Sequence, residues 1–471
     1  MSRLRLAPRA AELTAGFAAI RRELGLPETF PSVVLAEASA AAAAGPGGGA
    51  RPDRTDVPLV TIDPPGSRDL DQAYFAERRG AGYRVSYAIA DPGAFFAPGG
   101  ALDAESRARG VTLYAPDRRV PLYPEELSEG AASLLAGSDR AAVLWTFDLD
   151  ASAAVESVRV ERATVRSRAQ LDYPAVQRAL DDGTAEEPLV LLREVGLLRQ
   201  EAEVARGGVS LPTPAQEIVT SNGGYDLAFV APLPVESWNA QVSLLTGMAA
   251  ARIMLDGGVG LLRTMPPPDP RSVETLRRSA VALACEWPEG MAYPAFVRTL
   301  DPAAPAHAAL LTVTTTLLRG AGYAAFDGAP PEVSEHSAIA APYAHATAPL
   351  RRLADRFVSE VVLALSSGSP VPDWCRASLP ELPGLMAAAD RRERELDRAV
   401  LDYLEAAVLA RRVGETFEAV VTDTDDKGGM VQVADPAVRA RLMGSAPLGE
   451  KVRVRLREAD VASRRVVFEP A

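Results

Sequence analysis

Lysine is almost missing from this chain: of 50 basic residues only Lys427 and Lys451 are lysine, and all the others are arginine. With 38 prolines, 36 glycines and heavy use of alanine, that bias speaks of a skewed genome more than of a function. Excess positive charge is missing as well. A net charge of -12 excludes a broad basic footprint on nucleic acid, so any such partner would need a local arginine-lined channel. There are two cysteines, Cys285 and Cys375, far apart and without metal-ligand spacing. Two buried, reduced thiols are expected, not a disulfide framework. No apolar run approaches the length needed to cross a bilayer. The opening stretch Met1 to Pro8 has no hydrophobic signal core, so a cytoplasmic protein with no membrane partner is expected.

What is present is a globular composition, 48% hydrophobic and 24% charged, in 471 residues. That length exceeds one ordinary core and predicts two or three domains. The most informative stretch runs from Thr61 to Ala73. Leu59, Val60 and Ile62 read as a short strand ending at Asp63, with Pro58 at its first position, where a strand tolerates proline. Pro64, Pro65 and Gly66 force a bend. Asp69 and Asp71 follow two residues apart, so in an extended segment both carboxylates leave one face and Leu70 points inward. Asp63, Asp69 and Asp71 can thus converge across one bend, the way hard oxygen ligands are gathered for Mg²⁺. A lone Asp-x-Asp is more often an acidic surface turn, and only the downstream sequence overturns that reading.

Before this turn, residues 9–44 predict two helices about a short connection, with Gly25 and Pro27 ending the first and Pro31 opening the second. A helix-turn-helix or an alanine-rich packing hairpin would both fit, and the hairpin is the simpler. Gly45 to Asp56 reads as a linker. After the turn, strands are expected to about Asp150, including a hairpin around Gly80-Ala81-Gly82, and the sheet continues through Val155 to Ser167. Helices are expected at Asp103 to Arg109, 175–206, Trp238 to Leu255, Val273 to Gly320, Leu350 to Leu365 and Met386 to Arg412. From residue 414 onward, segments alternating at period two predict four or five short strands. In under sixty residues, these suggest a small OB-type barrel, a common single-strand nucleic-acid module.

Several motifs in order resemble the RNB domain of the ribonuclease II family. They are Asp63 to Ala73, Ala88 to Asp91, Pro98 to Asp103, Arg109 to Tyr114, Val120 to Ser128, and far downstream Tyr343 to Asp355. The resemblance spans roughly residues 56–412 and implies an α+β fold: a helical N-terminal extension (1–55), an RNB nuclease domain (56–412) and a C-terminal OB-type β-barrel (413–471). It implies Mg²⁺-assisted 3′→5′ hydrolysis of single-stranded RNA at its 3′ end to nucleoside 5′-monophosphates. Carried onto this chain, Asp63, Asp69 and Asp71 match metal-binding aspartates, with Asp69, Asp71 and Arg351 in the catalytic group. Tyr114 matches a base-stacking aromatic, and Arg351 an arginine gripping a phosphate beside the scissile bond, with Arg352 and His345 nearby on the substrate side. The chemistry agrees. Carboxylates suit Mg²⁺, an arginine fork suits phosphate oxygens, and a tyrosine face accepts any base.

The departures are specific. The family pattern has a fourth aspartate where this chain has Gln72, whose carbonyl oxygen can still face a metal but brings no charge. Leu211 stands where a second stacking aromatic is frequent. A family glutamate near the site corresponds to Glu393 or Glu395. The cold-shock barrels that usually precede the domain are replaced by the helical N-terminus. Two rival readings follow: an RNA-binding protein whose catalysis is weakened by Gln72, and a metal-dependent hydrolase of free nucleotides with an open, shallow pocket. Nothing in the sequence points to a protein partner.

Overall fold

In the computed structural model, residues 10–471 are described apart from 48, 212–214, 222, 223, 303, 426 and 445. The stretch examined for a signal core therefore lies outside the described residues. A six-stranded sheet runs in the order Val155–Arg166, Asp139–Leu149, Gly82–Ala90, Gln72–Arg79, Val60–Asp63 and Ala169–Asp172. Its neighbours are antiparallel except the last pair, where Asp63 lies level with Asp172 on a parallel strand. Residues alternate between faces. Tyr74, Tyr87 and Trp145 stand side by side on one face, and Ala73, Ala88 and Leu144 on the other. Both rows are fully buried, each in its own apolar cluster. Cover on both sides holds the sheet rigid and fixes where its strand ends emerge.

The helix expected over Trp238 to Leu255 spans Pro234–Gly257, with proline in its first turn and Gly258 closing it at φ 68°. The helical region expected over 175–206 is two helices, Tyr173–Asp181 and Glu187–Arg206, separated at Gly183 with φ 69° and restarted at Pro188. Val273 to Gly320 resolves into Pro270–Ala282, Tyr293–Arg298 and Pro305–Thr314. The helix expected from Leu350 begins at Leu353, because Arg352 is extended at φ -140°, ψ 120°. Leu113–Tyr114 pairs with Arg119–Val120 inside the stretch expected to be strands, but two pairs had no place in the sequence reading: Ala215–Ser221 with Gly224–Val230, and Val259–Thr264 with Gly322–Asp327.

The N-terminal helices, Ala10–Glu23 and Ser32–Ala44, lie on this body as packing elements. Phe17 meets Tyr225 and Tyr403 edge-on at 5.5 and 5.6 Å. Arg21, only 3% exposed, bonds Glu28 at 2.9 Å and Asp117 at 2.7 Å, and Glu28 also takes Arg118 at 3.2 Å. Asp117 and Arg118 form the tip of the Leu113–Val120 hairpin, so the first helix and the connection after it hold that tip.

The C-terminal strands close into a five-stranded barrel in the order Thr416–Asp425, Gly428–Val433, Val438–Met443, Arg465–Pro470 and Lys451–Asp460. It joins the body at Glu405 on the long helix Leu382–Leu409. That carboxylate accepts from the Arg439 backbone at 2.8 Å and the Gln216 amide at 2.7 Å. Both cysteines are free; Cys375 is buried as expected, but Cys285 is only half-buried, against a small helical cluster. Among the described residues no helix is long and apolar enough to cross a membrane.

Candidate active site

The acidic turn is pinned from below. Leu70 is fully buried; its N–H donates to Ser133 Oγ at 2.9 Å, and that hydroxyl donates to the Arg68 carbonyl at 2.6 Å. With Leu70 held inward, Asp69 and Asp71 emerge on the opposite side. Asp71 is 4% exposed. Its Oδ1 accepts the Leu350 backbone N–H at 2.7 Å, and its Oδ2 faces Arg351 Nε at 3.3 Å. Burial pushes its carboxyl up to about 7 against the opposing pull of Arg351 and the Leu350 bond. Asp63 closes its strand with a buried Oδ2 that has no hydrogen-bond partner. Burial and the charge of Asp69 push it, too, up to about 7. Asp69 accepts from the Tyr114 hydroxyl at 2.8 Å and from Arg119 at 2.8 Å.

Arg351 arrives from far along the chain because the segment before it is anchored on the buried helix Pro234–Gly257, the Ala344 N–H donating to the Gly247 carbonyl at 3.1 Å. A Cβ on Gly247 would fall 2.1 Å from the Tyr343 ring, so only glycine allows this approach. Gln72 helps hold the same segment. Its Nε2 donates to the Thr347 carbonyl at 2.7 Å, and its Oε1 accepts a short bond from the Tyr87 hydroxyl. Ser243 completes the link, donating to Thr347 Oγ1 at 3.1 Å. Both ends of the Gln72 amide are therefore engaged within the protein.

Beside Tyr114 and Arg351 lies a cleft of about 190 Å³. Arg352 lines it but is gripped by Asp355 at 2.8 and 3.0 Å. Burial works against its charge, yet Asp355 outweighs burial and holds the guanidinium more firmly protonated than usual. His345 also lines the cleft, with Nδ1 at 2.7 Å from the Tyr323 hydroxyl. Burial, with Arg352 and Arg263 close by, holds its imidazole well below the usual range, so it is neutral. Glu393 lines the cleft and Glu395 does not. Leu211 packs instead against the cluster of Leu276, Phe296 and Leu310.

Residues absent from the sequence reading are here as well. Arg119 reaches Asp69, and Arg263 sits 4.6 Å over the Tyr323 ring while bonding Asp390 at 3.0 Å. Arg263 and Tyr323 are direct cross-strand partners, as are Tyr114 and Arg119. No regular alternation in the sequence marks them: Arg119 follows Asp117 and Arg118, and Arg263 follows two leucines. Among the described residues no three His, Cys, Asp or Glu side chains are gathered as a ready metal cage. The donor chemistry nonetheless fits a hard cation: Asp63 offers a buried oxygen with no partner and feels the charge of Asp69, and Asp71 is a second buried carboxylate of the same turn.

Comparison with known proteins adds sequence and fold. The RNB domain model matches residues 51–367, and the model of the RNase II-type exonuclease C-terminal S1 domain matches residues 415–471. Ribonuclease R of Escherichia coli is 26% identical over 468 residues, covering 89% of this chain. The chain spans only 57% of that protein's length. The structure titled Mycoplasma genitalium RNase R in complex with ribose methylated single-stranded RNA superposes with a TM-score of 0.87 at 18% identity, over 98% of this chain and 78% of that one. Yeast Ssd1, described as a pseudonuclease, superposes at 0.73 with 15% identity, over 94% and 57%. These two share the fold.

Proposed function

The chain belongs to the RNB-domain family, and from that premise we propose that it is a 3′→5′ exoribonuclease that shortens single-stranded RNA to nucleoside 5′-monophosphates. The observation that carries this reading is the pairing of Asp71 with Arg351, beside the unpartnered oxygen of Asp63. A carboxylate set for a cation and a guanidinium set for an anion then face one point, as phosphodiester hydrolysis requires.

Asp63 and Asp71 would hold Mg²⁺, which when bound supplies positive charge that polarises the scissile phosphate and acidifies water. Arg351, with 48% of its side chain exposed, keeps donors free of Asp71 for the equatorial phosphate oxygens, where charge builds during reaction. Tyr114, 45% exposed, offers a ring face to the terminal base while its hydroxyl is tied to Asp69. Arg352, fixed by Asp355, adds positive charge to the cleft wall without moving. Neutral His345 can exchange hydrogen bonds with substrate but adds no charge.

The test is single-stranded RNA labelled at its 5′ end, incubated with Mg²⁺ and the wild-type chain or Asp71→Asn. Stepwise shortening by the wild type, lost in the variant, supports the enzyme. The engaged amide of Gln72 favours the second reading, an RNA-binding protein of weak or no catalysis. Retained RNA binding without shortening would establish that reading instead.

A further inference from the structure

The oxygens of Asp71 face the downstream Leu350–Arg351 segment, whereas both oxygens of Asp69 are taken by a single hairpin. Tyr114 and Arg119 stand directly opposite each other on its two strands, and each reaches one oxygen at 2.8 Å. Arg119 is held in that pose. Its other terminal nitrogen donates to Glu129, and Glu129 also meets Arg68 Nε at 3.0 Å. Because Arg68 precedes Asp69 in the chain, four alternating charges close into a ring. The Asp69 and Glu129 side chains are 12% and 9% exposed, while Arg119 is 32% and Arg68 70% exposed, so water screens the Arg68 arm and leaves the Arg119–Asp69 pair the less screened side of the ring. Position 72, the other place where a carboxylate was expected, carries an amide committed to Tyr87 and Thr347.

We propose that Arg119 is a built-in cation of this centre. By pairing with Asp69 it uses the negative charge that a second divalent ion would require, and it limits the chain to one metal ion, at Asp63 and Asp71. This deepens the nuclease reading and rests on it. A guanidinium and a dication on the same carboxylate repel each other. Arg351 meets Asp71 at 3.3 Å with its side chain 48% exposed and can turn away. Arg119, in contrast, is locked on Asp69 at 2.8 Å by its second bond to Glu129, and Gln72 supplies no charge to compensate. Arg119 acts through Asp69 and is therefore a positioning residue.

The experiment is a titration of the full chain with Mn²⁺, an oxygen-seeking stand-in for Mg²⁺, with free ion read by electron paramagnetic resonance. The wild type, Arg119→Ala, Arg119→Gln and Arg119→Lys are compared. The wild type and the Lys variant should bind one equivalent; the Ala and Gln variants should bind two. Gln and Lys both keep a flexible polar chain and differ in charge, so a merely structural role would not separate them. If Arg119→Ala fails to fold by circular dichroism, the Gln and Lys pair carries the comparison. One equivalent in every variant, or two in the wild type, overturns the proposal. The nuclease reading is judged separately, by RNA shortening with the wild-type chain alone.

Discussion

Leu350 donates its backbone N–H to Oδ1 of Asp71 at 2.7 Å, across 279 positions of sequence. That bond brings the next residue, Arg351, to 3.3 Å from the other oxygen of the same carboxylate. The acidic turn and the arginine segment are thus one piece of geometry, and changes on either side should be felt on both.

Arg351→Ala should lower kcat by roughly 10²–10³-fold, the usual cost of removing one donor aimed at developing charge. Arg351→Lys should recover part of this, since it restores the charge without the planar fork. Single-turnover kinetics on short RNA would check it. A loss confined to KM would assign Arg351 to ground-state binding instead.

Tyr114 combines two duties that substitution can separate. Tyr114→Phe keeps the ring and drops the bond to Asp69, so RNA affinity should hold. Tyr114→Ala removes the stacking face and should weaken binding of 3′ ends by about 1–3 kcal/mol, roughly 5- to 150-fold. Equal losses in both variants, measured by fluorescence anisotropy, would show that the hydroxyl, not the ring, carries the effect.

Gln72→Asp restores a carboxylate but is one methylene too short for both Tyr87 and Thr347. Lower thermal stability is expected, by about 1–3 kcal/mol for the buried partners left without bonds. If position 72 also bears on the metal, the Mg²⁺ concentration for half-maximal RNA shortening should fall. An unchanged Mg²⁺ requirement would leave Gln72 purely a strut between the sheet and the arginine segment.

Glu405, at the joint with the barrel, gives a pH dependence away from the acidic turn. Burial pushes its carboxyl up to about 7, against the Arg439 and Gln216 bonds that favour its charged form. The folded state holds the proton more tightly than the unfolded chain does. Glu405 therefore contributes fully below the ordinary glutamate range, and that stability is lost as pH rises through about 7. Between pH 5 and pH 8 the wild type should lose on the order of 2–3 kcal/mol from this group. Glu405→Gln, which can still accept both bonds, should reduce the wild-type slope in urea melts by that amount, leaving the share of Asp63 and Asp71, which are also raised to about 7. A slope not reduced at all by the substitution would place its origin elsewhere.

The acidic turn was legible in the sequence because its chemistry is local: a strand end, a bend at two prolines and a glycine, then alternating acidic and apolar residues. The long helices and the barrel were legible for the same reason, from periodicity. Arg119, Arg263 and Tyr323 were not, because they depend on which residues two short strands set opposite each other. The start of the Arg351 helix shifted to Leu353 because Arg352 is extended while its side chain is bound to Asp355. Gln72 read as a metal-facing residue by its place in the motif. Its actual partners, Tyr87 and Thr347, come from a neighbouring strand and from a segment 275 positions away, and local pattern carries no trace of them.

The ion pairs that tie Arg21 and Glu28 to Asp117 and Arg118 have a mechanical consequence. They make the first helix and the connection after it a buttress for the finger bearing Tyr114 and Arg119. A lesion some 90 residues upstream of that finger, such as Arg21→Ala, should slacken its grip on Asp69 without touching an acidic side chain of the turn. The amino-terminal hairpin would in that way set the stiffness of the chamber.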